Sequence, residues 1–135
     1  RLCRELPHGA GSAWEDAGVR RRLGHLAAEY DALWAMTKRN VTQAARDGMP
    51  GIGGSVFKLA YAEYRHRLGD LAMEVLGEAG LALDDIGDLP TGQHVQQWLW
   101  GISIGIAAGT SQIQRNIVGE RILGLPKEPR PDGAR

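Results

Sequence analysis

Apolar residues recur at three- and four-residue steps through four separate stretches of the chain, and nowhere does the strict alternation of a half-buried strand persist. In the first stretch Val19, Leu23, Leu26, Tyr30, Leu33, Met36 or Thr37, Val41 and Ala44 form one face of a long helix. Ser12-Ala-Trp-Glu15 fits a capping box at its start, where the serine hydroxyl and the glutamate carboxylate each satisfy a free amide. Gly48 suits a left-handed cap at its end, and Pro50 forbids continuation. The second helix runs from about Ser55 to Leu76, with Val56, Leu59, Ala60, Tyr64, Leu68, Leu71 and Val75 on one side, and Gly77 and Gly80 close it. A loop with three aspartates, residues 81–90, leads to a third helix that starts near Thr91 or Gly92 and carries Val95, Leu99, Ile102 and Ile106. Gly101, Gly105 and Gly109 weaken it by roughly 1 kcal/mol each relative to alanine, so it needs a packed neighbour, which small residues let approach closely. The fourth helix starts after Thr110, whose hydroxyl suits an N-cap, and ends at Gly124-Leu-Pro126.

Four amphipathic helices with modest connections predict an all-α fold, an up-and-down antiparallel four-helix bundle over residues 12–126. Residues 1–11 read as the tail of a preceding helix and a linker, and the proline-rich residues 127–135 as a mobile tail. The sequence opens on Arg1 rather than methionine, which suggests a fragment. Its 135 residues suffice for one domain with a single core. Lysine plus arginine equals aspartate plus glutamate at 16 each, and that balance argues against a nucleic-acid or membrane partner, both of which favour a basic surplus. The lone Cys3 cannot form an internal disulfide and fits a reducing, cytoplasmic setting. The four tryptophans read mostly as packing anchors, with Trp98 and Trp100 pointing in different directions.

Chemistry concentrates in Gly109-Thr110-Ser111-Gln112. A helix start presents unpaired amides and partial positive charge, to which this run adds two hydroxyls, a carboxamide and a glycine that lets a ligand come near. On local chemistry alone, a plain helix start capped by Thr110 accounts for the pattern. Glu63-x-x-His66 is half of a di-iron pattern, but its only second match, Glu5-Leu-Pro-His8, contains a proline, so no metal site is expected. Gly51-Ile-Gly-Gly54-Ser55 lacks the strand and lysine of a phosphate loop and reads as a turn with Ser55 as cap. Arg20-Arg21-Arg22 reads as a solvated helix face, and the sequon Asn40-Val-Thr42 sits mid-helix.

The run G-T-S-Q-I-Q-R-N-I-V-G-E-R-I-L-G-L-P, residues 109–126, resembles the C-terminal signature of the acyl-CoA dehydrogenases. Residues 55–77, S-V-F-K-L-A-Y-A-E-Y-R-H-R-L-G-D-L-A-M-E-V-L-G, resemble that family's preceding core helix, and the L-G-L-P ending is similar to the actinobacterial type. The resemblance implies FAD as cofactor, acyl-CoA as substrate oxidised to 2-enoyl-CoA, and homo- or hetero-oligomers with other subunits of the family. It implies that Thr110, Ser111 and Gln112 contact FAD and that Gly109 lies beside the thioester. It further implies that the segment holding Glu74 and Gly77 lies against the diphosphate end of a neighbouring subunit's FAD, where the carboxylates of Glu74 and Glu78 would be repulsive unless neutralised. Many members carry Tyr-Glu before the glycine, the glutamate being the base. Here Ala107 and Ala108 stand there, and a methyl group accepts no proton, so no catalytic residue is expected in this chain. The arginine-phenylalanine-glycine stretch with which many relatives grip FAD is replaced by P-H-G-A-G-S-A-W-E-D. Two readings remain open: one domain of a catalytic parent, inactive in isolation, or a non-catalytic helical scaffold for a catalytic paralogue.

Overall fold

A computed structural model describes residues 1–49, 51 and 53–127. Its elements are α1 (Leu2–Glu5), two short strands β1 (Pro7–His8) and β2 (Gly11–Ser12), α2 (Ala17–Asp47), α3 (Gly53–Leu76), a 3-10 turn (Gly77–Leu81), α4 (Thr91–Ile104) and α5 (Ser111–Arg121). The four predicted helices are present. The strand pair is an addition: Pro7 pairs with Ser12 and His8 with Gly11 around a turn in which Gly9 is left-handed. Two-residue strands are too short to show any alternation, so no sequence pattern announces them. No described helix is long and apolar enough to cross a membrane. Pro50 and all of the expected tail except Lys127 lie outside the described residues.

Helix ends follow side-chain chemistry, with one displacement. Glu15 does accept a hydrogen bond from the Ser12 amide at 3.0 Å, as a capping box requires, but this closes a turn ahead of the helix. The cap is Asp16, whose carboxylate accepts from Val19 N at 2.9 Å, and α2 starts at Ala17. Gly48 ends α2 in the left-handed conformation, φ 72°, its amide on Ala44 O. At α4 an aspartate of the preceding loop takes up the work: Asp85 accepts from Gly92 N at 2.9 Å, while the buried Thr91 hydroxyl donates to Asp84 O. α5 ends at Arg121, three residues before Gly124.

Helix α3 is the shared element: α2 packs along one side, α4 and α5 along the other, and α1 against it. α2 and α4 both run antiparallel to α3, as the pairs Glu29–Arg67 and Arg22–Glu74, and Lys58–Gly105 and Asp70–Trp98, establish. The core gathers Leu2, Leu6, Ala13, Val19, Leu26, Leu71, Val75, Leu76 and Val95, toward one end of α3. The far half of the stripe on α2 is less enclosed: Tyr30 and Val41 are 59% and 63% exposed.

The third helix departs most from its predicted face. Leu99, Ile102 and Ile106 are exposed, and α4 meets α3 through Val95, Trp98 and Gly101. A Cβ on Gly69 would come within 2.7 Å of the Trp98 ring, so α3 and α4 approach at a glycine of α3. Gly101 is not where space is tight, since the nearest atom to a Cβ there is Arg65 O at 3.6 Å. The tryptophans only partly fit the anchor reading: Trp98 packs, donating to Asp70 Oδ1 at 3.1 Å, and the Arg4 guanidinium covers Trp14, whereas Trp34 and Trp100 are mostly exposed.

Replacing Asp16 by alanine removes the cap and is expected to lower the melting temperature by about 2–5 °C at neutral pH, with Ser12→Ala producing a smaller change. Hydrogen bonds from Val19 and Gly18 hold the Asp16 carboxyl below its ordinary value. Its contribution is therefore present above the ordinary aspartate range and lost as pH falls through the depressed value. Thermal melts against pH should show wild type and Asp16→Ala converging in acid; a Ser12→Ala loss equal to that of Asp16→Ala would restore the capping box.

Candidate functional site

The connection between α4 and α5 folds back on itself over residues 105–110. Gly105 O accepts from Ser111 N at 3.0 Å and from Ser111 Oγ at 3.3 Å, which pins the start of α5 to the end of α4. Between them Ala108 takes φ 54° and Gly109 φ 91°, both left-handed. Ala108 is the only non-glycine residue with positive φ among the described residues. Two side chains hold the turn from inside. Gln114, buried in α5, donates from Nε2 to Ala108 O at 2.9 Å. Lys58 of α3 donates from Nζ to Gly109 O at 2.7 Å and lies 3.5 Å from Gly105 O. A Cβ on Gly109 would meet Gln114 Nε2 at 2.7 Å, so both its φ and its surroundings select glycine.

The predicted site residues divide by what they already do. Thr110 caps α5 by accepting from Ile113 N at 3.3 Å, which leaves its own hydroxyl proton free to donate. Ser111 is turned inward onto Gly105 O. Gln112 is exposed, and neither its carboxamide nor its backbone N–H has a partner among the described residues. Ala108 is exposed beside it. Hydroxyl, carboxamide and free amide thus meet at an accessible helix start, a donor and acceptor set able to match a heterocycle edge that carries both carbonyls and N–H groups. Sequence reasoning missed Lys58 and Gln114. Their contacts run across 51 and 6 residues, neither of them a helical spacing, so no periodicity could have suggested them.

Glu74 and Gly77 belong to the other end of α3. Lys58 and Glu74 are sixteen positions apart on one helix, a separation of about 24 Å at the α-helical rise. There Glu74 is paired by both carboxylate oxygens with the Arg22 guanidinium, one contact being 2.6 Å, and that hydrogen bonding holds the Glu74 carboxyl below its ordinary value. The repulsion expected of this carboxylate is thereby offset within the chain. Gly77, φ 54°, closes α3 beside it.

Glu63 and His66 are engaged elsewhere: Glu63 accepts from Arg115 at 3.0 Å and lies 3.9 Å from Arg67, and His66 Nε2 sits 2.9 Å from Gly101 O. No cluster of three or more potential metal ligands occurs among the described residues. An apolar cavity of about 210 Å³ lies elsewhere, bounded by α1, α3 and α4 and lined by Leu2, Leu68, Val75, His94 and Trp98. Burial pushes the His94 imidazole below its ordinary value, which favours the neutral form at neutral pH. With His94 neutral, nothing charged stands between Asp88 and Arg115. Leu99 and Ile102 of α4, and Ile106 just after it, are exposed within this uncharged stretch of sequence, which runs on to Gly109.

Comparison with known proteins gives a consistent set of matches. The family model for the acyl-CoA dehydrogenase C-terminal domain matches residues 1–123. Acyl-CoA dehydrogenase IpdE1 of Mycolicibacterium smegmatis is 35% identical over 126 residues, which is 92% of this chain and 29% of that protein. Acyl-CoA dehydrogenase FadE34 of Mycobacterium tuberculosis is 34% identical over 113 residues, 83% of this chain and 15% of that protein. Among solved structures, a chain of the ChsE4-ChsE5 complex from Mycobacterium tuberculosis superposes with a TM-score of 0.74 at 25% identity, covering 94% of this chain and 33% of that one. This chain therefore spans a third or less of each of these relatives.

The two glutamines at the start of α5 should separate cleanly on substitution. Gln112→Ala is expected to leave stability within about 0.5 kcal/mol of wild type. Gln114→Ala strips the buried partner from Ala108 O and should cost about 1–3 kcal/mol. Chemical denaturation of both variants measures this, and equal effects would mean that the turn is not held by Gln114.

Proposed function

Since the chain belongs to the acyl-CoA dehydrogenase family, as a C-terminal helical domain, we propose that it forms one wall of an FAD and acyl-CoA site in an enzyme that oxidises acyl-CoA to 2-enoyl-CoA. The observation that carries this reading is the exposed start of α5, where Gln112 keeps its carboxamide and N–H unspent next to Gly109 and Thr110. FAD, when bound, supplies a hydride acceptor. Around it Gln112 offers both donor and acceptor, Thr110 offers a hydroxyl proton, and Gly109 leaves room for a thioester. Ser111, already spent on Gly105 O, contributes least. The exposed Leu99, Ile102 and Ile106, in a stretch of chain without charged side chains, suit an apolar acyl chain, which a charged wall would accommodate only at a desolvation cost.

Two constraints bound what the domain does alone. The α-proton needs a base, and Ala108 cannot be one, so the base comes from outside the Ala107–Gly109 segment. The surfaces near Gln112 and near Glu74 are too far apart to hold the same end of one cofactor. We assign the Glu74–Gly77 end, where Arg22 neutralises Glu74 though not Glu78, to the diphosphate of a neighbouring subunit's flavin, which makes the working form an oligomer, with identical subunits or with a paralogue. The absence of a base at Ala108 also supports a second reading, in which the domain scaffolds a catalytic paralogue. A cytoplasmic setting fits the lone Cys3.

The purified chain is expected to carry no stoichiometric flavin and to reduce no dye with acyl-CoA. In a nuclear magnetic resonance titration with free FAD, shifts confined to Gly109, Thr110, Gln112 and the exposed face of α4 support the wall. Shifts elsewhere, or none at millimolar FAD, overturn it, and turnover by the isolated chain would place the base elsewhere within this chain.

A further inference from the structure

We propose that Lys58 is the positioning residue of this site, the group that aims the Thr110 amide at whatever lies against the surface. The proposal rests on the reading of Gly109–Gln112 as a ligand wall, but its geometry stands on hydrogen bonds alone. A trans peptide is planar, with its N–H directed opposite to its carbonyl. Lys58 Nζ draws Gly109 O inward, toward α3, at 2.7 Å. The N–H of the same peptide plane, that of Thr110, is therefore turned outward, and it has no partner among the described residues. Gln114 does the same one plane earlier: with Ala108 O held inward on Nε2, the Gly109 N–H faces out. Two consecutive outward N–H groups, next to the free Gln112 carboxamide, form a concave donor set for a carbonyl or other electron-rich oxygen.

Lys58 suits this task for reasons of placement. Its backbone belongs to α3, held by α2 on one side and α4 on the other, and its neighbours Phe57 and Tyr61 are stacked with ring centroids 5.7 Å apart. The ammonium thus hangs from the helix that packs against all the others and ties down a turn otherwise held only by residues of its own segment, Ser111 and Gln114. Gly109 O has no other partner among the described residues, so without Lys58 its peptide plane is free to rotate. An alanine in the left-handed region persists only where its surroundings over-determine it, and Lys58 supplies the part of that constraint that comes from outside the turn.

The test uses the full chain as Lys58→Met, which keeps the length but has no donor, and Lys58→Arg, which keeps charge and donors. Hydrogen exchange at the Ser111 amide, bonded to Gly105 O, and the carbonyl carbon shift of Gly109 are read by nuclear magnetic resonance. Lys58→Met is expected to speed Ser111 exchange about tenfold while protected amides of α2 stay at wild-type rates, and Lys58→Arg to recover most of the protection. Unchanged Ser111 exchange and Gly109 shift in Lys58→Met overturn the proposal. So does equal acceleration throughout the chain, which would make Lys58 a contributor to general stability only. Should Lys58→Met not fold, Lys58→Arg decides, since lost protection at Ser111 alone overturns the proposal and retained protection supports it. No readout involves flavin, so this proposal and the flavin wall fail independently.

Discussion

Everything in this domain is arranged by what packs on α3. Against Gly69 the Trp98 ring seats α4; on the opposite side α2 lies antiparallel, joined by Glu29–Arg67 and Arg22–Glu74. The same helix carries Lys58 near its start and Glu74 near its end, so one rigid rod sets the distance between the two polar surfaces. A helix that positions both ends has little freedom to adapt either. In the proposed assembly the two surfaces therefore meet separate cofactor ends, each supplied by a different subunit's site.

The turn of residues 105–110 shows how local strain is sustained. Placing alanine in the left-handed region costs roughly 1–2 kcal/mol. A hydrogen bond to a charged group contributes about 1.5–3 kcal/mol, so the Lys58 contact alone is of the size needed to offset that cost. Gln114 and Ser111 add neutral bonds of smaller worth. The turn is thus held by a few polar contacts rather than by burial: Ile106 and Ala108 are exposed, and the core cluster lies toward the far end of α3. Such a site can present backbone donors accurately without being enclosed by the domain that builds it.

Charge is distributed to match. Arg115–Glu63–Arg67–Glu29 forms a chain of ion pairs from α5 across α3 to α2. All four groups are about half exposed, so the network adds little to stability and more to the choice of register. From residue 89 to residue 114 there is no charge at all. Exposed Leu99, Ile102 and Ile106 within that stretch are suited to apolar cover, and in the proposed assembly that cover is the acyl chain and the remainder of its site.

The sequence alone determined the helices, three of their caps and the polar run at the start of α5, because these depend on neighbours within four residues: Gly48, Gly77 and Thr110 stand where local chemistry puts them, whereas the expected Ser12 and Ser55 caps do not. It also carried the family, through the Gly-Thr-Ser-Gln run. Periodicity could not decide between two apolar faces of α4. Val95, Leu99, Ile102 and Ile106 make the better stripe on paper, yet the helix packs through Val95, Trp98 and Gly101, since a glycine on α3 admits the indole ring there. Nor could it pair Lys58 with Gly109 or Arg22 with Glu74, residues about fifty positions apart. Helix spacing reports which side chains share a face, whereas the choice of face and the partners across it belong to the shape of the neighbouring helix, and that exists only once the chain has folded.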